Sequence, residues 1–181
     1  MRAAYVELMM DRTANLLGAV GLAVTDQLGD VAHEVLGRTG ETPAALIVIG
    51  YGPGLSNEQL RRILGLSHPG AVRLVDRLVS DGFVERRSGQ DKRAIALHLT
   101  PRGAAAREKL LETRIAGLRP LLVSLDEGEQ KMFAALLSKL LLSLGTTRLK
   151  RHALCRMCDT RVCTNCPIPA DAIDADRPAK C

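Results

Sequence analysis

The sequence predicts a mainly α-helical fold that carries one small β-hairpin. Over most of the 181 residues, apolar side chains recur every three or four positions, which is the spacing of one helix face. Only residues 83–100, FVERRSGQDKRAIALHLT, change to the alternating pattern of two strands around a glycine turn. Apolar residues make up 46% of the chain but aromatic residues only 2%, so the core must be aliphatic.

The N-terminal part predicts two helices of different length. Residues 8–36 form one long periodic stretch, which ends at Gly37. Thr42 and Pro43 then predict the start of a short apolar helix, with Thr42 as its N-cap. The glycines and the proline of residues 50–54 predict the turn that follows this helix.

Residues 55–83, LSNEQLRRILGLSHPGAVRLVDRLVSDGF, predict two short amphipathic helices joined by a tight turn. Ser56 and Gln59 have the spacing of a capping box at the start of the first helix. Gly65 ends that helix, and Ser67 caps the second one almost at once. This arrangement is typical of a helix-turn-helix.

The second of these helices is expected to expose a cationic face. Burial of its apolar residues would leave His68, Arg73 and Arg77 in solvent. The N-terminus of this helix would also face outward and could bind a phosphate. The groups available there are Ser67 and the amides of His68 and Gly70. The hairpin adds four further basic residues, which are Arg86, Arg87, Lys92 and Arg93. Because such groups reach phosphates and guanine edges, we predict DNA binding. The net charge of +5 permits this without requiring it.

The C-terminal half predicts two more helices. Thr100 is the expected N-cap of the first, whose apolar stripe is expected to kink near Pro120. Asp126 and Glu129 predict the start of the second. That helix is leucine-rich as far as Leu144 and needs an apolar partner, for which a second copy of the chain is the simplest candidate.

No targeting segment or membrane span is expected. The apolar run of residues 16–24 is too short to cross a bilayer, and charged residues flank it. We therefore expect a cytoplasmic protein without a membrane partner, in an environment where thiols stay reduced.

Two segments resemble a known family. LVDRLVSDGFVERR (residues 74–87) and DKRAIALHLTPRG (residues 91–103) are similar to the recognition helix, wing and following helix start of MarR-family winged helix-turn-helix regulators. The resemblance extends over residues 42–145. It implies a homodimer that binds a pseudo-palindromic operator in double-stranded DNA, with half-sites about ten base pairs apart, and that usually represses transcription. It also implies a cleft in which a small-molecule ligand can bind.

By this resemblance the chain divides into four parts. An N-terminal dimerisation helix occupies residues 1–38, and the winged helix-turn-helix DNA-binding domain occupies residues 39–104. The C-terminal dimerisation helices follow in residues 105–154, and residues 155–181 form a cysteine-rich tail.

The resemblance also assigns individual DNA contacts. Arg73 corresponds to the recognition-helix arginine that usually contacts DNA, and Asp91 and Arg93 correspond to the wing's Asp-x-Arg, in which the arginine enters the minor groove. Where the family often has hydroxyl residues, this chain has HPGAV (residues 68–72), so base recognition must depend on His68, Arg73, the wing and DNA shape. The predicted DNA-binding residues are Ser67, His68, Gly70, Arg73, Arg77, Arg86, Asp91, Lys92 and Arg93.

Four cysteines lie close together in residues 155–166, CRMCDTRVCTNC. Cys155, Cys158, Cys163 and Cys166 form a C-x2-C-x4-C-x2-C motif, which suits Zn²⁺ or an iron–sulfur cluster. The short linker and the proline after the last cysteine favour iron–sulfur slightly, as does the plant-type ferredoxin spacing that Cys181 would complete. Cys181 is either a ligand or a residue without a role.

Other interpretations of the cysteines stay open. The alternatives to a metal are a thiol–disulfide switch and inert thiols. The thiols are surrounded by the basic residues Lys150, Arg151, Arg156 and Arg161, which would favour thiolates and thus help metal binding and redox sensing alike. A thiol oxidoreductase is disfavoured because no βαβ pattern surrounds either C-x2-C pair. No catalytic constellation is present, and we expect a protein that is not an enzyme.

The position of the cysteines leads to a functional hypothesis. Because they follow the last helix, their metal content or oxidation state is expected to set the geometry of the dimerisation helices, and thereby the affinity for operator DNA. In the alternative hypothesis, zinc is structural and a small-molecule ligand is the signal.

Overall fold

The computed structural model describes residues 2–88, 95–144, 148–163 and 166–168, with the backbone alone for residues 2–4 and 148–151. These residues form seven α-helices, a 3₁₀ turn and two strands. The elements are α1 (Arg2–Leu36), α2 (Thr42–Tyr51), α3 (Asn57–Leu64), α4 (His68–Ser80), β1 (Val84–Ser88), β2 (Ile95–Leu99), α5 (Pro101–Leu118), the 3₁₀ turn Arg119–Leu122, α6 (Glu127–Leu144) and α7 (Arg148–Cys155). The predicted fold class, mainly helical with one hairpin, is confirmed.

Helix α2 is the centre of a lobe that consists of α2, α3, α4, β1 and β2. Residues Thr42–Ile49 are all buried, because this helix is apolar on every side and packs against α3, α5 and β2. The surrounding core is aliphatic, with Phe83 as the one aromatic member among the described residues. This matches the low aromatic content of the sequence.

The start of α2 differs from the prediction. Glu41, not Thr42, is the N-cap, and no side chain caps the helix. Thr42 is instead the first helical residue and is 1% exposed, because packing against the lobe takes precedence over local capping. The helix also continues to Tyr51, so the predicted turn begins at Gly52 rather than at residue 50.

The helix-turn-helix forms as predicted. The Ser56 hydroxyl accepts a hydrogen bond from the Gln59 amide, and the Gln59 side chain accepts one from the Ser56 amide, which completes the capping box. Gly65 ends α3 with a φ of 67°, a left-handed conformation that glycine adopts without strain. Ser67 then caps α4.

The wing is an antiparallel pair in which Arg86 is opposite Leu97. A third segment joins this sheet, because Leu55 and Leu97 form a bridge with a 2.9 Å bond from the Leu97 amide to the Leu55 carbonyl. Ile95 is 55% exposed because it pairs with Ser88 at the end of the sheet farthest from the lobe. The hairpin tip, residues 89–94, lies outside the described residues.

Helix α5 begins in direct contact with the lobe. Thr100 is its N-cap as predicted, and the Thr100 hydroxyl also donates to the Gly82 carbonyl at 2.7 Å. A Cβ atom at Gly103 would lie 1.9 Å from the Phe83 carbonyl oxygen, so only glycine fits there. The base of α5 is therefore fixed to the end of the helix-turn-helix.

The long helices extend away from the lobe and leave apolar surface exposed. The C-terminal part of α1 packs against α5 and, together with α2, forms a second small core from Val31, Ala32, Ile47, Leu110 and Leu111. Most of α1 before that point is exposed, and α6 has no buried residue within the protomer. The exposed apolar side chains include Tyr5, Leu8, Met9, Met10, Leu16, Leu17, Val20, Phe133, Leu136, Leu137 and Leu140.

Two helix boundaries in this region differ from the prediction. Helix α5 ends at Leu118 and Pro120 lies in a 3₁₀ turn, so the chain changes direction instead of kinking a continuous helix. Helix α1 begins at Arg2 rather than at residue 8. The predicted start of α6 is confirmed by reciprocal bonds of 3.0 and 2.9 Å between Asp126 and Glu129.

A separate helix, α7, was not predicted. It carries Cys155 as its last residue and packs against α3 of the lobe. Within the described residues, no helix is both long and apolar enough to cross a membrane.

Candidate DNA interface and C-terminal cysteine segment

Helix α4 has the two faces that the sequence predicted. Ala71, Leu74, Val75 and Leu78 are buried in the lobe, while His68, Arg73 and Arg77 are exposed. The guanidinium groups of Arg73 and Arg77 have no hydrogen-bond or ion-pair partner among the residues that the structure describes. Both are therefore available to an anionic partner.

Other arginines of the lobe are already paired. Arg61 and Arg62 both bind Glu58 at 2.7–2.8 Å, and these hydrogen bonds lower the pKa of Glu58 to about 2. Arg87 pairs with Glu85 within β1. These carboxylates offset the positive charge beside them, which makes the unpaired arginines of α4 the more effective cations.

One ion pair joins the wing to α4. Arg86 of β1 binds Asp76, which is exposed on α4 one turn beyond Arg73. Arg86 was predicted to contact DNA, and here its guanidinium also holds the wing against α4. Asp91, Lys92 and Arg93 lie in the hairpin tip outside the described residues, so their DNA contacts stay predictions.

The N-terminus of α4 differs in one respect from the expectation. Ser67 and His68 are exposed, as predicted. The Gly70 amide, however, donates to the Ser67 hydroxyl at 3.2 Å. Its N–H is thus used by the cap and is not free for a phosphate, because one donor hydrogen cannot serve both acceptors well.

The four cysteines are thiols that the structure only partly brings together. Cys155 and Cys158 are linked by a thiol hydrogen bond, whereas Cys163 is exposed on the far side of a turn. Among the described residues, no three His, Cys, Asp or Glu side chains lie close enough to hold a metal ion. Cys181 lies outside them. The predicted metal or cluster therefore stays a prediction.

The pair Cys155–Cys158 has an unusual acidity. The hydrogen bond from Cys155, followed by the charge of Arg114 on α5, lowers the pKa of the Cys158 thiol to about 6, although burial opposes the shift. The sequence predicted that basic neighbours favour thiolates, but it did not indicate Arg114 as one of them. Arg161 was one of the predicted neighbours, and it forms ion pairs with Glu108 and Asp159 instead.

The residues between the cysteine pairs form a tightly bonded turn. Asp159 is 6% exposed, and Arg161 binds both of its carboxylate oxygens at 3.0 and 2.9 Å. This contact holds the pKa of Asp159 below its usual range and raises that of Arg161. The same guanidinium donates to Glu108 of α5 at 2.6 Å. The turn is thereby tied to α5.

Tyr51, at the end of α2, makes the second connection. Its hydroxyl donates to the Cys158 carbonyl at 2.9 Å and accepts from the Thr160 amide at 3.1 Å. The Arg107 guanidinium lies 4.3 Å from the centre of the Tyr51 ring. No pattern in the sequence predicted this role of Tyr51. The one local sign was a phenol at the end of an otherwise apolar, buried helix.

These elements define a winged helix-turn-helix DNA-binding protein. They are a helix, a tight turn, a second helix that exposes Arg73 and Arg77, and an antiparallel wing. Residues 36–94 match the model of the MarR family. The chain belongs to this family of transcriptional regulators, whose members bind operator DNA as dimers and are not enzymes.

Two curated relatives are similar in sequence. The chain is 38% identical over 96 residues to the HTH-type transcriptional regulator BilQ of Clostridium symbiosum, a match that covers 52% of this chain and 67% of BilQ. It is 37% identical over 76 residues to the HTH-type transcriptional regulator PetP of Rhodobacter capsulatus, which covers 41% of this chain and 46% of PetP.

Solved structures of the family share the fold. The reduced form of MarR from E. coli is 27% identical, with a TM-score of 0.61 over 71% of this chain and 95% of that one. The Mycobacterium tuberculosis MarR-family protein Rv2887, in complex with p-aminosalicylic acid, is 25% identical, with a TM-score of 0.56 over 70% and 96% of the two chains. MepR of Staphylococcus aureus, at 20% identity and a TM-score of 0.65 over 72% and 97%, is similar in fold alone.

Proposed function

We propose that this regulator acts in the cytoplasm as a homodimeric repressor that binds a pseudo-palindromic operator through α4 and the wing. The observation that carries the proposal is the pair Arg73 and Arg77, which are exposed and unpaired among the described residues. They lie on the solvent face of a capped helix whose other face is buried. Such a helix fits the major groove, where arginine binds guanine or phosphate.

The exposed apolar faces of α1 and α6 support the homodimer. A helix with Phe133, Leu136, Leu137 and Leu140 in water is unstable on its own, since each such side chain gains roughly 1.5–3 kcal/mol on burial. A second copy offers an equally apolar surface and places two α4 helices on one side of the dimer. Two-fold symmetry then requires an operator with two similar half-sites.

DNA selection tests the proposal. Duplexes that the wild-type protein enriches from a random library should contain an inverted repeat. Replacement of Arg73 by alanine should weaken binding to the selected duplex roughly 5- to 150-fold, which corresponds to about 1–3 kcal/mol for a lost base contact. Arg119→Ala is the matched control, because Arg119 is exposed at the far end of α5, roughly 27 Å of helix away from the lobe. Equal effects of both substitutions would contradict the role of α4.

We further propose that the C-terminal cysteines set the affinity for this DNA. The hydrogen-bonded Cys155–Cys158 pair supports a thiol-based signal, since a thiol with a pKa of about 6 is largely thiolate at neutral pH. Hydrogen peroxide would accept two electrons and two protons from the two thiols, so that one disulfide and two water molecules form.

Metal binding would need a rearrangement of the segment. Zn²⁺ or an iron–sulfur cluster, the cofactor that the spacing favours slightly, would be held by Cys155, Cys158, Cys163 and Cys166. The described side chains are not gathered around one point, so they do not form a finished site. Visible absorption together with iron, sulfide and zinc analysis of protein purified without oxygen separates the cases. Stoichiometric metal supports the four-cysteine site. Absence of metal supports the Cys155–Cys158 thiol pair as the signal-sensing group.

A second candidate signal is a small aromatic acid. It is favoured by the complexes of Rv2887 with salicylic acid and p-aminosalicylic acid. In that case zinc at the cysteines would be structural. Titration of the DNA complex with salicylate tests this alternative, because release of DNA from a variant that lacks all four cysteines would make the cysteines dispensable for the signal.

A further inference from the structure

The turn between the two cysteine pairs is docked on the DNA-binding lobe of its own protomer. We propose that Tyr51 is the positioning residue through which a chemical change at the cysteines reaches the helix-turn-helix and the wing. This inference rests on the proposed control of DNA affinity by the cysteines. It replaces the expected route through the dimerisation helices with a direct one.

Tyr51 holds the backbone of the cysteine segment on both sides of Asp159. Its hydroxyl donates to the carbonyl of Cys158 and accepts from the amide of Thr160, so both functions of the phenol are used. The partners are separated from Tyr51 by more than a hundred residues in sequence. Because backbone atoms are the partners, the contact senses the conformation of the turn and not the identity of its side chains.

The surface around Tyr51 is shaped to receive this turn. The Arg107 side chain, only 12% exposed, covers the Tyr51 ring. A Cβ atom at Gly50 would lie 2.3 Å from the Arg107 side chain, so glycine at this position leaves the room that Arg107 occupies. Met157 packs on the small core between α1, α2 and α5. We call this surface, formed by Gly50, Tyr51, Arg107 and Glu108, the turn seat.

Electrostatic contacts also hold the turn on the turn seat. Asp159 is almost fully buried, and a buried carboxylate requires a paired cation. Arg161 supplies that cation and at the same time binds Glu108 on α5. The turn therefore cannot leave the lobe without breaking the Arg161–Glu108 pair and the two hydrogen bonds to Tyr51.

Only a few residues separate the seat from the DNA-binding elements. Tyr51 ends α2, and Leu55, four positions later, forms the bridge to Leu97 in the wing. Ser56, the next residue, is the N-cap of α3. Helix α7, which carries Cys155, also packs directly on α3. A displacement of Tyr51 is thus transmitted to the wing and to the first helix of the helix-turn-helix.

Chemistry at the cysteines must disturb the same bonds. The Cys158 amide donates to the Cys155 carbonyl, and the Cys158 carbonyl accepts from Tyr51. A disulfide between Cys155 and Cys158 has its own geometric requirements, and so does a metal held by both cysteine pairs. Formation or loss of either changes the backbone around Cys158, where Tyr51 is bonded.

The test compares Tyr51→Phe with Tyr5→Phe. The first removes the hydroxyl and keeps the ring under Arg107, and the second is a matched change at the other tyrosine, which is 65% exposed on α1. The affinity of each full-length protein for the selected duplex is measured as isolated without oxygen and after hydrogen peroxide, which oxidises thiols and destroys clusters. Hydrogen–deuterium exchange of residues 155–163 reports docking, and thermal unfolding reports folding.

Wild type and Tyr5→Phe should change affinity roughly 5- to 150-fold between the two states. The affinity of Tyr51→Phe for DNA should differ less than about twofold between the two states and should equal that of peroxide-treated wild type. Its residues 155–163 should also exchange hydrogen for deuterium faster than those of untreated wild type. If Tyr51→Phe keeps the full response, the inference fails while cysteine control stands. If wild type does not respond at all, the proposed control fails and the inference with it. Arg161→Gln, which loosens the turn from its other side, should reproduce the loss of response if Tyr51→Phe is poorly folded.

Discussion

Arg38, two residues beyond the end of α1, binds Asp81 at the end of α4 through two hydrogen bonds of 3.2 and 3.1 Å. Asp81 is the C-cap of α4, where a negative charge opposes the helix dipole unless a cation is near. The pair therefore compensates an unfavourable charge and links the segment after α1 to the second helix of the helix-turn-helix.

Replacement of Arg38 by alanine should lower the free energy of unfolding by about 0.5–1 kcal/mol, since the pair is partly exposed but bidentate. Urea denaturation measures the change. Lys131→Ala, which removes a largely exposed pair with Glu127, is the control and should change the free energy of unfolding by less than about 0.5 kcal/mol. If the two variants are equally stable, the Arg38–Asp81 pair does not compensate the helix dipole.

Gly103→Ala should destabilise the lobe strongly. The added Cβ would lie 1.9 Å from the Phe83 carbonyl oxygen, so α5 must shift away from the lobe, at a cost of roughly 1–3 kcal/mol or more. Thermal unfolding measures this loss. Gly29→Ala on α1 is the opposite case, because nothing lies within 4 Å of its Cβ and alanine favours a helix by up to about 1 kcal/mol. Destabilisation by both changes to the same extent would contradict the close contact.

The carboxylate of Glu58 should make the stability of the lobe depend on pH in the acid range. Its pKa is lowered from 4.5 to about 2 by Arg61 and Arg62, so the folded state favours the charged form. The stabilisation is complete above about pH 4.5 and is lost as the pH falls through about 2. The difference in stability between wild type and Glu58→Gln should therefore shrink over this interval. A difference that is constant from pH 6 to about 2 would rule out the shifted pKa.

The reactivity of Cys158 should follow its lowered pKa. Alkylation by iodoacetamide, followed by mass spectrometry of the peptide, should reach half of its maximal rate at about pH 6, because the thiolate is the nucleophile. Cys155→Ala removes the first cause of the shift and should move the midpoint toward the ordinary value of 9.0. Cys163→Ala is the control and should leave it in place. A midpoint unchanged by Cys155→Ala would assign the shift to Arg114 instead.

Local chemistry explains which parts of the fold were predictable. The caps at Ser56, Ser67 and Thr100 depend on residues three positions apart, and the structure has all three. Thr42 was wrongly predicted to be an N-cap, because the buried environment of α2 outweighs the benefit of a cap. The exposed cations of α4 followed from the periodicity of its apolar face, whereas their pairing state did not.

The cysteine segment shows the limit of arguments from spacing. A C-x2-C pair brings two thiols together by its own geometry, and Cys155 and Cys158 do interact. The seat at Tyr51 depends instead on a contact between residues more than a hundred positions apart, which periodicity does not encode. The helix α7 and the charges of Glu108 and Arg114 became relevant only once the chain had folded back onto the lobe.

The aliphatic core has a practical consequence for spectroscopy. The chain has no tryptophan and two tyrosines, so Tyr5 and Tyr51 are the only sources of ultraviolet fluorescence above that of phenylalanine. In a Tyr5→Phe protein every such photon comes from Tyr51, whose phenol is bonded to the cysteine turn. The single substitution Tyr5→Phe therefore makes Tyr51 fluorescence a reporter of this contact. Its intensity would record release of the turn in real time without an added dye.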